Sequence, residues 1–186
     1  VPTRVIFGRD TQKRAGELIK EYGFRKVMIH YGGGSVKRSG LLDQVTASLR
    51  EAGIEMVLFG GVQANPTLSK ALEGMEICRR ESVDFILAVG GGSVIDSAKC
   101  IADGAPNPEI DPWKFFMKEA VPPKALSHGN ILTLSASGSE TSQSCVITNE
   151  ENGLKRGFNC PAHRPLFAVC NPELTFTVSR FQTGCG

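Results

Sequence analysis

At 186 residues the chain is long enough to bury a sizeable core as one domain, and its 41% hydrophobic and 22% charged residues are ordinary for a globular protein. A formal net charge of +2, with the basic pairs Lys13-Arg14, Lys37-Arg38 and Arg79-Arg80 standing apart beside acidic residues, excludes the basic stripe of a nucleic-acid binder. No stretch approaches the roughly eighteen apolar residues of a membrane span, and Val1-Pro2-Thr3-Arg4 lacks the start of a signal peptide, so a cytoplasmic protein is expected.

Val5 to Phe7 reads as a short strand, followed by a helix over 11–22 with Ala15, Leu18, Ile19 and Tyr22 on one face. Val27 to Tyr31 is the next strand. Leu41, Leu42, Val45, Leu49 and Ala52 recur at three- and four-residue spacing and predict a helix over 36–52, which Gly53 stops. A strand at 54–59 and a helix at 67–81, carrying Leu68, Ala71, Leu72, Met75 and Cys78, repeat the pattern. The continuous apolar run from Phe85 to Val89 then closes in three glycines and opens a helix with Ile95, Ala98, Ile101 and Ala102.

Beyond residue 104 the repetition weakens. Pro106, Pro108 and Pro112 make a loop, a short helix follows at 112–118, and Pro122-Pro123 breaks the chain again. A strand is predicted at 131–135, and a hairpin at 145–148 and 155–158 turns on Asn152-Gly153. The last strand is 166–170, and a helix begins near Ser179. Strands apolar throughout and alternating with helices require a mostly parallel, Rossmann-like open sheet covered on both faces, with the hairpin as an addition.

The six cysteines form neither a CxxC pair nor a zinc spacing, and several lie in apolar runs such as Phe167-Ala168-Val169-Cys170. Reduced, structural thiols are expected, which suits a reducing compartment. His30, His128 and His163 are too scattered to indicate a metal site.

Chemistry concentrates at strand ends. Gly90-Gly91-Gly92-Ser93 offers glycines for close backbone approach, a hydroxyl, and the N-terminus of a helix whose unpaired N–H groups suit a phosphate. The bland alternative is a sharp strand-to-helix turn with no ligand. The run is neither GxGxxG nor an ATP-binding P-loop, and Lys99 comes too late to replace the P-loop lysine.

The earlier turn Gly32-Gly33-Gly34-Ser35-Val36-Lys37-Arg38 stands where NAD sites place an acid against the adenine ribose, and here there is none. Ser35 with Lys37 or Arg38 instead suits an adenosine 2′-phosphate, unless the basic pair is plain surface. Asn65-Pro66-Thr67 and the hydroxyl-rich run from Thr133 to Glu140 are two more turns at strand ends; the first serves equally well as a helix start. Asp96 and Lys99 share a helix face after Ser93, with Asp96 either orienting a ribose or playing a structural part.

The runs from Tyr31 to Lys37, Asn65 to Thr67, Ala88 to Asp96, Leu132 to Leu134 with Ser137 to Glu140, Asp111 to Trp113, and Phe167 to Pro172 together resemble the iron-containing alcohol dehydrogenase family, in particular its NADPH-dependent butanol dehydrogenase branch. Their order covers essentially the whole chain. The resemblance implies an NADP(H)-dependent enzyme interconverting primary alcohols and aldehydes. It implies Gly91, Gly92 and Ser93 at the cofactor diphosphate, Asp96 at the nicotinamide ribose, and Thr133, Leu134 and Ser137 along the nucleotide. Gly33, Gly34, Ser35 and Lys37 would surround the adenosine phosphate, Asn65 the adjoining pocket, and Lys155 the nicotinamide side.

The family holds its divalent metal, iron or zinc, on an aspartate and three histidines of a helical C-terminal domain. None of the three histidines here falls in that pattern, so residues 1–178 are expected to be the nucleotide-binding domain and 179–186 the start of the helical one. The chain alone is then expected to be inactive, with no catalytic or metal residue of its own, while the parent enzyme takes a small alcohol or aldehyde and is compatible with a homodimer. A polyol dehydrogenase, a related sugar-phosphate cyclase and a non-catalytic nucleotide-binding module are the alternatives.

Overall fold

The computed structural model of the chain describes residues 2–185. Val1 and Gly186, the outermost residues of the two expected segments, lie outside the described residues. A six-stranded sheet is built from β1 (Arg4–Phe7), β2 (Lys26–Tyr31), β3 (Glu55–Phe59), β4 (Phe85–Gly90), β5 (Ser127–Leu132) and β8 (Phe167–Cys170), in the spatial order β1-β8-β5-β4-β2-β3. Every neighbouring pair in it is parallel. β6 (Ser144–Asn149) and β7 (Leu154–Asn159) form the separate antiparallel hairpin, with Gly153 in the left-handed region at its turn.

Because side chains alternate along a strand, the central strands feed two cores. Val27 and Ile29 of β2, with Phe85 and Leu87 of β4, pack under α1 (Ala15–Glu21) and α3 (Leu41–Glu51) through Leu18, Ile19, Val45 and Leu49. Met28, Ile86 and Ala88 face the other way, under α4 (Leu68–Arg80) and α5 (Gly92–Gly104), where Ala71, Met75, Ile95 and Ile101 meet them. α6 (Trp113–Phe116) adds Trp113, Phe115 and Phe116 to this second core, as the aromatic cluster suggests. No helix among the described residues is long and apolar enough to cross a membrane.

Three elements depart from the sequence reading. The helix expected over 36–52 is two, α2 (Ser35–Arg38) and α3, because Gly40 adopts a left-handed φ of 73° between them. The helix expected over 11–22 opens with a 3-10 turn, Thr11–Arg14, before α1. The strand expected at 131–135 is β5, Ser127–Leu132. Its first half was hidden by polarity: His128 and Asn130 are fully buried, and hydrogen bonds to the carbonyls of His163 (3.1 Å) and Glu140 (3.2 Å) pair a polar atom of each. Residues 133–135 leave the sheet as a loop. At the other end a 3-10 turn, Pro172–Thr175, and α7 (Arg180–Cys185) follow β8.

Strand order places the candidate site. From β2 the chain moves outward to β3, whereas from β4 it moves the opposite way to β5. The sheet therefore reverses between β2 and β4, and a crevice opens outside their carboxyl ends. Both glycine-rich turns sit at those two ends.

Candidate functional site

At the end of β4, Gly91 is extended and caps α5 without a side chain. The N–H groups of Val94 and Ile95 bond the Gly91 carbonyl at 3.0 and 3.2 Å, leaving those of Gly92 and Ser93 with no partner among the described residues. Thirteen aligned peptides stand behind this open terminus. An anion there gains about 0.3 to 1 kcal/mol, and up to ~2 where partly buried.

The loop after β5 lies directly against the turn. Thr133 N–H bonds the Gly90 carbonyl at 3.0 Å, a Cβ on Gly91 would stand 3.2 Å from Leu134 Cβ, and one on Gly92 would stand 2.3 Å from Ser137 Oγ. Any side chain at 92 would force Ser137 to move. The helix terminus and the loop thus bring backbone N–H and hydroxyl groups together, donors of the kind that can hold an anion.

The turn after β2 forms the adjoining wall. Gly33 and Ser35 are exposed, and the Arg38 guanidinium folds back so closely that a Cβ on Gly34 would collide with it. Lys37 Nζ lies 5.4 Å from the centre of the Tyr31 ring. A cleft of about 770 Å³ is lined by Ser35, Arg38, Gly91, Thr133 and Leu134, with Glu173, Leu174, Val178 and Gln182 on its far side. The structure therefore brings together residues from the two glycine turns and the loop after β5, and it puts Arg38 rather than Lys37 on the cleft wall. The contribution of 173–182 carries no motif and was not anticipated.

Asp96 stands one turn further along α5, with its carboxylate engaged by protein. It accepts the Ser139 hydroxyl and, at 3.2 Å, the Val146 N–H. Burial pushes its carboxyl upward, opposed by the Ser139 bond and the Lys99 charge. Asn65 and Lys155 meet elsewhere: Lys155 Nζ donates to Asn65 Oδ1 at 2.7 Å, beside the N-terminus of α4. There the hairpin is fastened by Thr148 N–H to Pro66 O (2.9 Å) and by the Glu150 carboxylate, which accepts from Ser69 N–H and Oγ–H at 3.1 and 2.9 Å. Asn65-Pro66-Thr67 does start a helix, Thr67 accepting from Lys70 N–H at 3.4 Å.

The histidines are structural. His30 donates from Nδ1 to Phe59 O and accepts Ser97 Oγ–H at Nε2, both at 2.9 Å, and burial lowers its pKa to about 4. His163 donates from Nδ1 to Gln143 O (3.0 Å) and faces Asp103 Oδ2 with Nε2 at 2.5 Å, so one proton lies between imidazole and carboxyl. Among the described residues no three of His, Cys, Asp or Glu stand together as a metal site. All six cysteines are free, and burial raises the thiols of Cys78, Cys100 and Cys145, as expected of structural residues.

The family model described as iron-containing alcohol dehydrogenase matches residues 2–172. The chain belongs to the iron-containing alcohol dehydrogenase family. It is 46% identical over 182 residues to the probable NADH-dependent butanol dehydrogenase 1 of Bacillus subtilis, an alignment covering 98% of this chain and 46% of that protein. It is 40% identical to the NADPH-dependent aldehyde reductase YqhD of Escherichia coli, covering 100% and 47%. The crystal structure of the NADH-dependent butanol dehydrogenase A of Thermotoga maritima superposes with a TM-score of 0.95 at 45% identity, covering 98% of this chain and 46% of that one. The chain thus spans about half the length of the family relatives it matches.

Proposed function

We propose that this chain is the cofactor-binding part of an oxidoreductase that transfers hydride between NADP(H) and a primary alcohol or aldehyde. The observation that carries this reading is the cradle beside the crevice between β2 and β4, where the uncapped helix terminus after β4 meets the loop after β5. Gly91, Gly92 and Ser93 would hold the diphosphate through backbone N–H groups, and Thr133, Leu134 and Ser137 would line the nucleotide. Asn65 would help form the adjoining pocket and Lys155 would face the nicotinamide side, exchanging their mutual hydrogen bond for contacts to the cofactor, and Asp96 would reach a ribose by yielding one of its present donors. When bound, the nicotinamide supplies the hydride chemistry.

The preference for NADP(H), and with it the NADPH-dependent branch of the family, rests on the adenosine end. Gly33, Gly34, Ser35 and Lys37 would stand there with Arg38, and the turn itself, residues 32–38, carries no acid to bind a ribose 2′-hydroxyl. The relatives' names divide between NADH and NADPH. Titration of the chain with each nucleotide, followed by fluorescence, tests the point: tighter NADPH binding is expected, equal affinity removes the preference, and no binding of either overturns the nucleotide reading.

The described residues do not fit a catalytic metal. We assign iron or zinc, and the polarisation of the substrate oxygen, to chain outside residues 1–178, with 179–186 leading into it. The chain alone is then expected to give no alcohol-dependent reduction of NADP, and measurable turnover would contradict that division.

A further inference from the structure

Lys99 has no part in the roles assigned above, yet it is the most anomalous residue beside the site. It lies on α5 with 0% exposure, between the apolar residues Ala98 and Cys100. Its ammonium has three N–H groups, and three carbonyl oxygens receive them: Ser139 at 2.9 Å, Ser142 at 3.1 Å and Ser144 at 2.8 Å. No donor remains for a phosphate. A buried charge is tolerated only with such full hydrogen bonding, and all three acceptors belong to one segment, between the loop after β5 and the start of β6.

We propose that Lys99 is a positioning residue, a buried cation that draws segment 137–144 onto α5 and so sets the distance between Ser137 and Gly92 on which cofactor binding depends. Asp96 holds Ser139 of the same segment from one turn earlier and, just beyond the segment, Val146 of β6. His163 holds Gln143 from behind, at 3.0 Å. Of these three, Lys99 alone takes up carbonyls along the segment, from Ser139 through Ser142 to Ser144. It therefore fixes the segment's curvature as well as its attachment, and because Ser144 begins β6 it also sets the root of the hairpin that carries Lys155. The positive charge is an organiser of the phosphate cradle without touching the phosphate.

This inference rests on the nucleotide reading, and NADPH titration separates the two. In Lys99→Met, which keeps the length and apolar stem but removes all three donors, NADPH affinity should fall at least tenfold. Amide exchange should quicken in 137–144 and not in β2 or β4, and Lys99→Arg should restore part of the affinity. A merely structural role would lower the urea midpoint while the folded molecules kept their affinity and their local exchange, and that result overturns the proposal. Should Lys99→Met not fold, Ser142→Gly decides: it leaves the core intact, loosens the middle of the segment and removes the hydroxyl that accepts both Lys99 Nζ at 3.4 Å and Ser144 N–H at 3.2 Å. A loss of at least threefold is expected there, and unchanged affinity overturns the proposal. If the unaltered chain binds neither NADPH nor NADH, the nucleotide reading fails and takes this inference with it; if it binds and the variants bind equally, this inference alone fails.

Discussion

Lowering the pH through 6.5 is expected to destabilise the chain from its interior, through His30 and His128. Both are fully buried, and burial is the first cause that lowers their pKa values, to about 4 and about 3. In the unfolded chain each imidazole takes up a proton near its ordinary value of 6.5. Above that pH both states are neutral and stability is fully present. Below it the unfolded state binds more protons, so stability falls as the pH falls, until the folded pKa is reached. Each imidazole contributes a slope of up to about 1.4 kcal/mol per pH unit, or roughly 2 kcal/mol by pH 5. Two together are a large share of the roughly 5–15 kcal/mol that holds a domain folded.

Asp96 and Asp103 act with the opposite sign, because burial raises both carboxyls and the folded state protonates them first. The isolating experiment is therefore a comparison of slopes. In His30→Asn the amide nitrogen can still donate to Phe59 O, but nothing titrates. Urea unfolding at fixed pH values between 8 and 5 should show a slope below pH 6.5 that is smaller than the unaltered chain's by about one proton, whatever the variant's absolute stability. Equal slopes in the two proteins would refute the reasoning.

Four substitutions test the packing, the cradle and the cofactor preference. Gly92→Val drives a branched side chain into Ser137 and should weaken NADPH binding at least tenfold by calorimetry, with a fall in stability of about 1 kcal/mol. Gly129→Ala would place a methyl 2.7 Å from the buried Phe167 ring, and overpacking should cost about 1–3 kcal/mol by urea titration. Gly33→Ala meets nothing within 4 Å and should leave stability within about 0.5 kcal/mol, so any loss of nucleotide affinity in it reports on the site alone. Arg38→Ala should narrow the difference between NADPH and NADH in the same titrations, since Arg38 lines the cleft where the 2′-phosphate is expected. An unchanged ratio would point away from this turn.

The strands that pattern revealed are those whose burial is purely apolar. β4 is buried at every position, and its run of Phe, Ile, Leu, Ala and Val announces it. β5 is buried nearly as well, but His128 and Asn130 do so through hydrogen bonds to the carbonyls of His163 and Glu140, outside the strand, which no local pattern records. The glycine turns were legible because close approach and an open helix terminus depend on residue type. Their convergence on one crevice was implied by alternation of strands and helices, whereas its exact walls were not. Arg38 curls over Gly34, and 173–182 closes the far side, through tertiary placement alone. Lys99 did carry a signal, a lysine in an apolar stretch of α5, but its meaning needed the three carbonyls that surround it.

The central claim is that the turns after β2 and β4 and the loop after β5 form one nucleotide site. Amide chemical shifts of the chain, followed during addition of NADPH, test it most directly. Saturable shifts concentrated at Gly92 and Ser93, with companions in 33–38 and 133–137, are the predicted result. A second hollow of about 260 Å³ lies beside Thr67, Lys70 and Glu150. Shifts confined to that hollow, with Gly92 and Ser93 unmoved at saturation, would contradict the account.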